Sequence, residues 1–513
     1  MATRNSTASL SLIAALAACG GARVTTTPSP GIAPAVTRAT LPHVIDSMVN
    51  APEFRTALWG ILIVDPEAGD TLYSHNAPKL FIPASNQKLV SGSVMLEQLG
   101  PEFRFRTTFA AHGAIVDGTL NGDLAVIGRG DPTMSDRMQK DAMIPMRAIA
   151  DSLAQRGIRR ITGSVVAVGN AFPGPVAGAA WPWDGLNGAS FAGVDELLFN
   201  EGLSTFRVRP GANIGDTAAV ETRPARTFPT VRVLATTIAR DTTAMPAAGG
   251  GARGGRGGTA TRVSAYHDTL TSAVIVSGQV AVGDSATITL PQHDPNTAFV
   301  AALTEALSER GITVERQATA WSESQNPNAD SLFTVLSVPL KEIMPAIMKP
   351  SQNQIAEVFL RALGLERTGV GTADSGRRVV ERQFAAWKIP SDAFVVRDGS
   401  GLSRSDLISP EAIVSILDAM RRSPNFTVFF ESLPIAGVDG TIRTRMRDTP
   451  AQGNLRAKTG TLSMVRSLSG YVRTADGRLL EFSMLCNNWT TPQTAVDRVQ
   501  DAIGAALAQL RLR

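Results

Sequence analysis

The sequence predicts an α/β sandwich assembled from both ends of the chain, with a large β-rich insertion over residues 105–290. Three observations point there. An apolar, β-branched run at 57–64 turns back at Asp65-Pro66-Glu67-Ala68-Gly69-Asp70, the signature of a hairpin. Near the other end, strand runs at 467–473 and 478–485 flank Asp476-Gly477 and precede an amphipathic helix. Between these ends the pattern changes to short alternating stretches broken by glycine. Strands that each bury one face need a layer of helices, and two half-sheets at opposite ends of a chain satisfy that need by joining.

Residues 43–104 are read as the first part of this domain. A short helix follows Pro42, the hairpin spans 57–75, and Pro83 opens a helix through Leu96 whose Leu89, Val90, Val94 and Leu96 fall at helical spacing. The insertion, read as two domains, carries strand runs at 124–127, 165–168 and 274–280 and a helix at 142–155 that ends at Gly157. Residues 291–513 are read as the second part. They hold helices at 299–309, 341–348, 354–363 and 411–420, then the hairpin. Pro492 opens a last helix whose Val496, Val499, Ile503, Leu507 and Leu510 form one apolar stripe.

Composition narrows the function. The 513 residues are 43% hydrophobic and 18% charged, an ordinary globular balance. Net charge is +4 with no basic stripe, so nucleic acid is not an expected partner. The tract at 247–258, AAGGGARGGRGG, resembles an RNA-binding segment, and in an exported protein it reads as a surface loop. Two Cys and five His, without HExxH or CxxC, give no disulfide scaffold and no metal site. Residues 1–19 pair Arg4 with an apolar run from Leu10 to Ala18, too short to span a bilayer and suited to a secretory signal. The run ends Leu16-Ala17-Ala18-Cys19, similar to a lipobox whose Cys is lipidated; an ordinary cleaved signal is the other reading. A Thr/Pro-rich tether over 20–42 follows.

Three short motifs carry chemistry. Ser85-Asn86-Gln87-Lys88 is the only Ser-x-x-Lys, and on a helix it sets the two side chains one turn apart on one face. A serine hydroxyl needs a base, and a lysine is a base only if burial or a nearby cation lowers its pKa. The chain has seven Lys among 49 basic residues, so Lys is kept where Arg, which does not deprotonate, would fail. The alternative is an exposed Lys on a helix face. Lys458-Thr459-Gly460-Thr461 suits the lip of a cleft: the cation and hydroxyls bind a carboxylate, and Gly leaves room for substrate backbone at the strand edge. A plain turn is the other reading. Ser351-Gln352-Asn353 is one of several Ser-x-Asn triplets, chosen because it joins two helical segments.

Ser-x-x-Lys, Ser-x-Asn and Lys-Thr-Gly, in that order, resemble the penicillin-recognising serine transferases and hydrolases. The long gap from Ser85 to Ser351 is similar to the D-alanyl-D-alanine carboxypeptidase/endopeptidases, low-molecular-mass class C penicillin-binding proteins with large insertions. Pro83-Ala84-Ser85-Asn86, Gly122-Asp123-Leu124, the 128–133 stretch Gly-Arg-Gly-Asp-Pro-Thr, the 398–404 stretch Asp-Gly-Ser-Gly-Leu-Ser-Arg and Gly437 to Gly440 support it. The likeness runs from Pro42 to the C-terminus. Gln352 and Pro350 depart from the commonest choices around that Ser.

The resemblance implies a penicillin-binding/β-lactamase-like α/β sandwich, with the insertion between the first two motifs, and no cofactor. It implies that Ser85 attacks the penultimate D-Ala carbonyl of a peptidoglycan stem peptide, Lys88 is the base, Ser351 relays a proton and Asn353 holds the Lys amine. Lys458 with Thr459 or Thr461 binds the terminal carboxylate, and the N–H groups of Ser85 and Thr461 form an oxyanion hole. β-Lactams are expected to acylate Ser85. Arg404 is a candidate for a side-chain carboxylate and Asp184 for a free amine; Asp131 and Arg129 read as structural. Alternatives are a β-lactamase or esterase on the same scaffold, or a non-catalytic wall-binding lipoprotein. A Ser-His-Asp hydrolase is disfavoured because no Gly-x-Ser-x-Gly occurs.

Overall fold

In the computed structural model the described residues are 36–223, 230–240, 261–268, 273–317 and 330–512. Cys19, the signal segment, most of the tether and the Gly/Arg-rich tract lie outside them. The last tether residues fold: helix Leu41–Val49 begins inside the expected linker, with Pro42 in its first turn.

The two ends of the chain share one antiparallel sheet, in the order Arg456–Leu462, Val465–Arg473, Leu479–Asn487, Leu58–Asp65, Asp70–His75. The joint is the pairing of residues 58–64 with 481–487, from Leu58 opposite Asn487 to Val64 opposite Glu481. The central strands are buried on both faces. On one face lie Leu41–Val49 and the last helix Gln493–Gln509, whose Val496, Val499, Ile503 and Leu507 meet Trp59, Leu468 and Phe482 in one core. On the other lie Gln87–Leu99, Asn353–Thr368 and Pro410–Arg422, packed with Tyr471 and Leu485. Each buried Leu, Ile or Val contributes about 1.5–3 kcal/mol, which makes the terminal stripe a structural requirement.

A second sheet starts at Arg106 and runs past the expected end of the insertion at 290. Strand Asp330–Leu336 pairs with Arg106–Val116, and helix Pro295–Glu309 buries Phe299, Leu303 and Leu307 against Phe109, Leu124 and Met146. An apolar helical stripe reads the same whichever sheet it covers, so pairing alone assigns this helix to the inserted unit. Within it, strands Leu203–Arg209, Ala219–Arg223 and Ala286–Pro291 form a small sheet. That sheet shares a core of Phe206, Val208, Val274, Val276 and Leu290 with a four-stranded sheet around Val274–Ala281.

His267 and His293 stack at this small unit with ring centroids 3.7 Å apart, and His267 Nε2 lies 2.7 Å from the Pro291 carbonyl. Burial lowers both imidazoles below the ordinary value of 6.5, and His293 adds to the effect on His267. A lowered folded pKa means that the unfolded chain binds more protons, so stability is full above about pH 6.5 and is lost as pH falls through it. Thermal unfolding at pH 7 and pH 5 is expected to show a lower melting temperature at pH 5, and His293→Gln is expected to flatten that dependence. An unchanged slope in the variant would remove the histidine pair as its cause.

Candidate active site

Residues Ala84–Asn86 form a tight 3-10 turn that runs into helix Gln87–Leu99. The turn is tied to the sheet from below: Ser467 Oγ donates to the Pro83 carbonyl at 2.7 Å, and Asn86 Nδ2 donates to Ser469 Oγ at 2.7 Å. Gly460 permits this approach. A Cβ there would stand 2.6 Å from the Pro83 carbonyl oxygen and 2.9 Å from the Ser85 nitrogen. Ser85 is half-buried and Lys88 fully buried one turn below it.

Lys88 Nζ lies 2.8 Å from Ser85 Oγ, 2.7 Å from Asn353 Oδ1 and 2.8 Å from the Ser400 carbonyl. Burial lowers this amine to about 7, against the opposing pull of Asp398, Glu357 and Asp406. Those carboxylates also build the 398–403 loop. Asp398 accepts from the Gly401 and Ser403 N–H groups at 2.6 and 2.7 Å, and Glu357 accepts from the Ser400 N–H at 2.9 Å. The loop thereby holds the Ser400 carbonyl over the amine.

Ser351 sits between helices Leu340–Met348 and Asn353–Thr368 in the left-handed region, φ +65°. Its Oγ accepts from Lys458 Nζ at 2.7 Å, and that amine also donates to the Thr459 carbonyl at 2.8 Å. Lys458 is fully buried on the edge strand Arg456–Leu462. Burial, then the like charges of Lys88 and Arg466, pulls it well below its ordinary value. Thr459 Oγ1 is 2.7 Å from Thr441 Oγ1, and Thr461 Oγ1 accepts from the Arg466 guanidinium, itself paired with Asp497 at 2.6 Å.

A cavity of about 320 Å³ opens over these groups, lined by Ser85, Ser351, Asn353, Thr459 and Thr461. Lys88 and Lys458 are fully buried beside it. The three motifs, separated by 266 and 107 positions in sequence (351 − 85 and 458 − 351), therefore share one cleft. A larger cavity of about 460 Å³, beside Asp65, Asp418 and Glu481, holds none of the motif residues.

The weaker candidates are not part of the cavity lining. Arg404 is exposed and donates to the Ser463 carbonyl at 2.9 Å, and it does not line the cavity. Asp184 is exposed on the turn Trp183–Gly185, also off the lining. Arg129 pairs with Glu366 at 2.7 Å, and Asp131 is buried and accepts from the Thr133 hydroxyl at 2.7 Å. Sequence reasoning missed Ser190 and Phe191 of the insertion and Thr441, all on the cavity wall. No local pattern marks the first two; Thr441 directly follows the glycine pair Gly437 and Gly440.

Residues 41–510 match the D-Ala-D-Ala carboxypeptidase 3 (S13) family. The chain belongs to that family. It is 31% identical over 479 residues to a D-alanyl-D-alanine carboxypeptidase of Actinomadura sp. (strain R39), covering 91% of this chain and 84% of that one. It is 26% identical to the D-alanyl-D-alanine carboxypeptidase DacB of Haemophilus influenzae, covering 84% and 86%. The fold is similar to that of penicillin binding protein 4 from H. influenzae, with a TM-score of 0.74 at 22% identity, covering 91% and 99%.

For this S13 chain the approach of strand to turn at Gly460 yields a test. In Gly460→Ala the methyl would lie 2.3 Å from Ser467 Oγ as well as against residues 83–85. Overpacking of this kind costs about 1–3 kcal/mol. The rate of covalent labelling by penicillin is expected to fall at least about 10-fold, because the strain falls on the turn that aims Ser85. Stopped-flow labelling of the variant at the wild-type rate would show that the turn tolerates displacement.

Proposed function

We propose that this S13 chain is a serine D-Ala-D-Ala carboxypeptidase/endopeptidase of peptidoglycan stem peptides, working through an acyl-enzyme on Ser85. The observation that carries the reading is the 2.8 Å contact between Ser85 Oγ and an amine brought to about 7 by burial. A lysine at its usual value would be protonated and useless as a base; one near 7 takes a proton at neutral pH.

Lys88 accepts the Ser85 proton as Oγ bonds to the penultimate D-Ala carbonyl carbon. The carbonyl oxygen gains the negative charge, and the N–H groups of Ser85 and Thr461 stabilise it; losing one such donor costs ~3 kcal/mol. The peptide C–N bond then breaks. The leaving amine takes a proton through Ser351, which bridges toward the cavity from Lys458. The terminal carboxylate of the leaving D-Ala lies against Lys458, Thr459 and Thr461. It supplies the counter-charge that buried Lys458 lacks and so favours the protonated amine. Water attacks the ester and frees Ser85. A β-lactam presents a similar carbonyl and carboxylate, so it acylates the same hydroxyl. Beyond Arg456 and Ala457, which pair with residues 435 and 434, the edge strand Arg456–Leu462 offers its outer side to the substrate backbone.

Arg404 is proposed for a side-chain carboxylate of a longer stem peptide, since its contact at the Ser463 carbonyl is exposed and exchangeable. Export to the cell envelope, with Cys19 as a lipid anchor, is supported by the apolar run closing on Cys19. Among the described residues no helix is long and apolar enough to cross a membrane.

Three measurements test the reading. Intact mass after penicillin is expected to show one covalent adduct on the wild-type protein and none on Ser85→Ala; label on the variant would sink the assignment. Release of D-Ala from a pentapeptide separates this peptidase from a β-lactamase, which would hydrolyse penicillin rapidly without it. The third measurement is pH dependence. Lys88 must be neutral to act, so the acylation rate is expected to rise with pH and reach half its plateau near 7. A flat profile from about pH 5.5 to 8.5 would exclude Lys88 as the base.

A further inference from the structure

We propose that Glu201, in the inserted part of the chain, is a positioning residue for Ser351, acting through a buried hydrogen bond to Gln352. The proposal rests on the reading of Ser351 as the proton relay. Its basis is a junction between two strained turns. Asn200 and Glu201 have φ +49° and +59°, and Ser351 has φ +65°. Non-glycine residues persist in that region only where surrounding contacts over-determine them, and they gather at functional sites.

Both turns are pinned from their own side. Asn200 donates its N–H to the Met134 carbonyl at 2.9 Å, its side chain accepts from the Asp136 N–H at 3.1 Å, and Glu201 Oε1 accepts from Arg137 Nε at 2.7 Å. On the catalytic side the Gln352 N–H donates to the Ile347 carbonyl at 2.9 Å, and Gln352 Oε1 caps the following helix by accepting from the Gln354 N–H at 2.7 Å. What remains of the glutamine is its amide Nε2, which donates to Glu201 Oε2. Gln352 and Glu201 are 7% and 5% exposed, so water does not readily replace either partner.

The consequence reaches the reacting groups by one covalent step. Gln352 adjoins Ser351, whose hydroxyl meets Lys458, and Asn353, whose amide meets Lys88. The insertion also touches Asn353 directly: Nδ2 donates to the Ser190 carbonyl at 2.9 Å, which turns Oδ1 toward the lysine. A Gln352 released from Glu201 frees the Ser351 backbone to leave the left-handed region, and the relay hydroxyl moves off its line. Substrate binding through Thr459 and Thr461 does not pass through this junction, and Lys458, though it loses the Ser351 hydroxyl, keeps its bond to the Thr459 carbonyl at 2.8 Å.

The test exchanges donor and acceptor across the junction in the full chain. Gln352→Glu keeps an oxygen to cap the helix and sets a second carboxylate against Glu201. It is expected to lower kcat for D-Ala release about 10- to 100-fold, with KM changed by less than about threefold. Adding Glu201→Gln restores an amide-to-carboxylate bond with the roles reversed and is expected to recover most of kcat. Wild-type kcat in Gln352→Glu, or no recovery in the double variant, would overturn the proposal. Should Gln352→Glu melt far below the wild type, Glu201→Ala replaces it, with the same expected loss of kcat; an unchanged kcat there overturns it too. Absence of D-Ala release by the wild-type protein would instead refute the peptidase reading itself.

Discussion

An amine buried without water is the constraint on which this site depends. Lys88 has no solvent to donate to, so each of its protons or its lone pair must find a fixed partner. The hydroxyl of Ser85, the amide of Asn353 and the carbonyl of Ser400 come from three separate segments. Their convergence on one nitrogen positions the Ser85 hydroxyl, the 351–353 loop and the 398–403 loop together. The carboxylates of Glu357, Asp398 and Asp406 keep the amine from falling further, so burial and charge balance near 7. Burial alone would leave too weak a base, and charge alone too strong an acid-holder.

The second lysine shows the same physics without the compensation. Lys458 is as buried as Lys88 and faces cations in place of carboxylates. Two such amines in one cleft oppose each other until an anion arrives. That arrangement favours ligands carrying a carboxylate a short distance from an acylating carbonyl, a property shared by a D-Ala-D-Ala terminus and a β-lactam.

Placing these groups requires close backbone approach, and the sheet supplies it. The turn that carries Ser85 is hydrogen-bonded to Ser467 and Ser469 of the strand next to the edge, and Gly460 and Gly401 leave the space for it: a Cβ on Gly401 would lie 1.8 Å from the Ala84 carbonyl oxygen. The five-stranded sheet is complete only when residues 58–64 reach 481–487, so the placement of the Ser85 turn depends on the joining of the two ends of the chain. The insertion is drawn into the same centre through Ser190 and, on our proposal, Glu201.

Read as sequence, the motif residues Ser85, Lys88, Ser351, Asn353 and Lys458 were legible because their chemistry is short-range in spacing or unusual in type: a lysine kept in an arginine-rich chain, a serine one turn before it, a loop between two helical stripes. The terminal hairpin and helix were legible because turn residues and apolar periodicity are local properties. Helix Ala373–Ala386 was not, since its charged residues obscure the Val379, Val380 and Phe384 that it buries. The extent of the insertion, the stacking of His267 on His293, the wall formed by Ser190 and Phe191, and the contact of Arg404 with the Ser463 carbonyl were likewise decided by tertiary structure. These depend on which segments meet in space, and the periodicity of a strand or helix carries no record of its partner. The sequence by itself determined which functional groups were available; only the folded chain decided which of them lost their water, and with it their ordinary pKa.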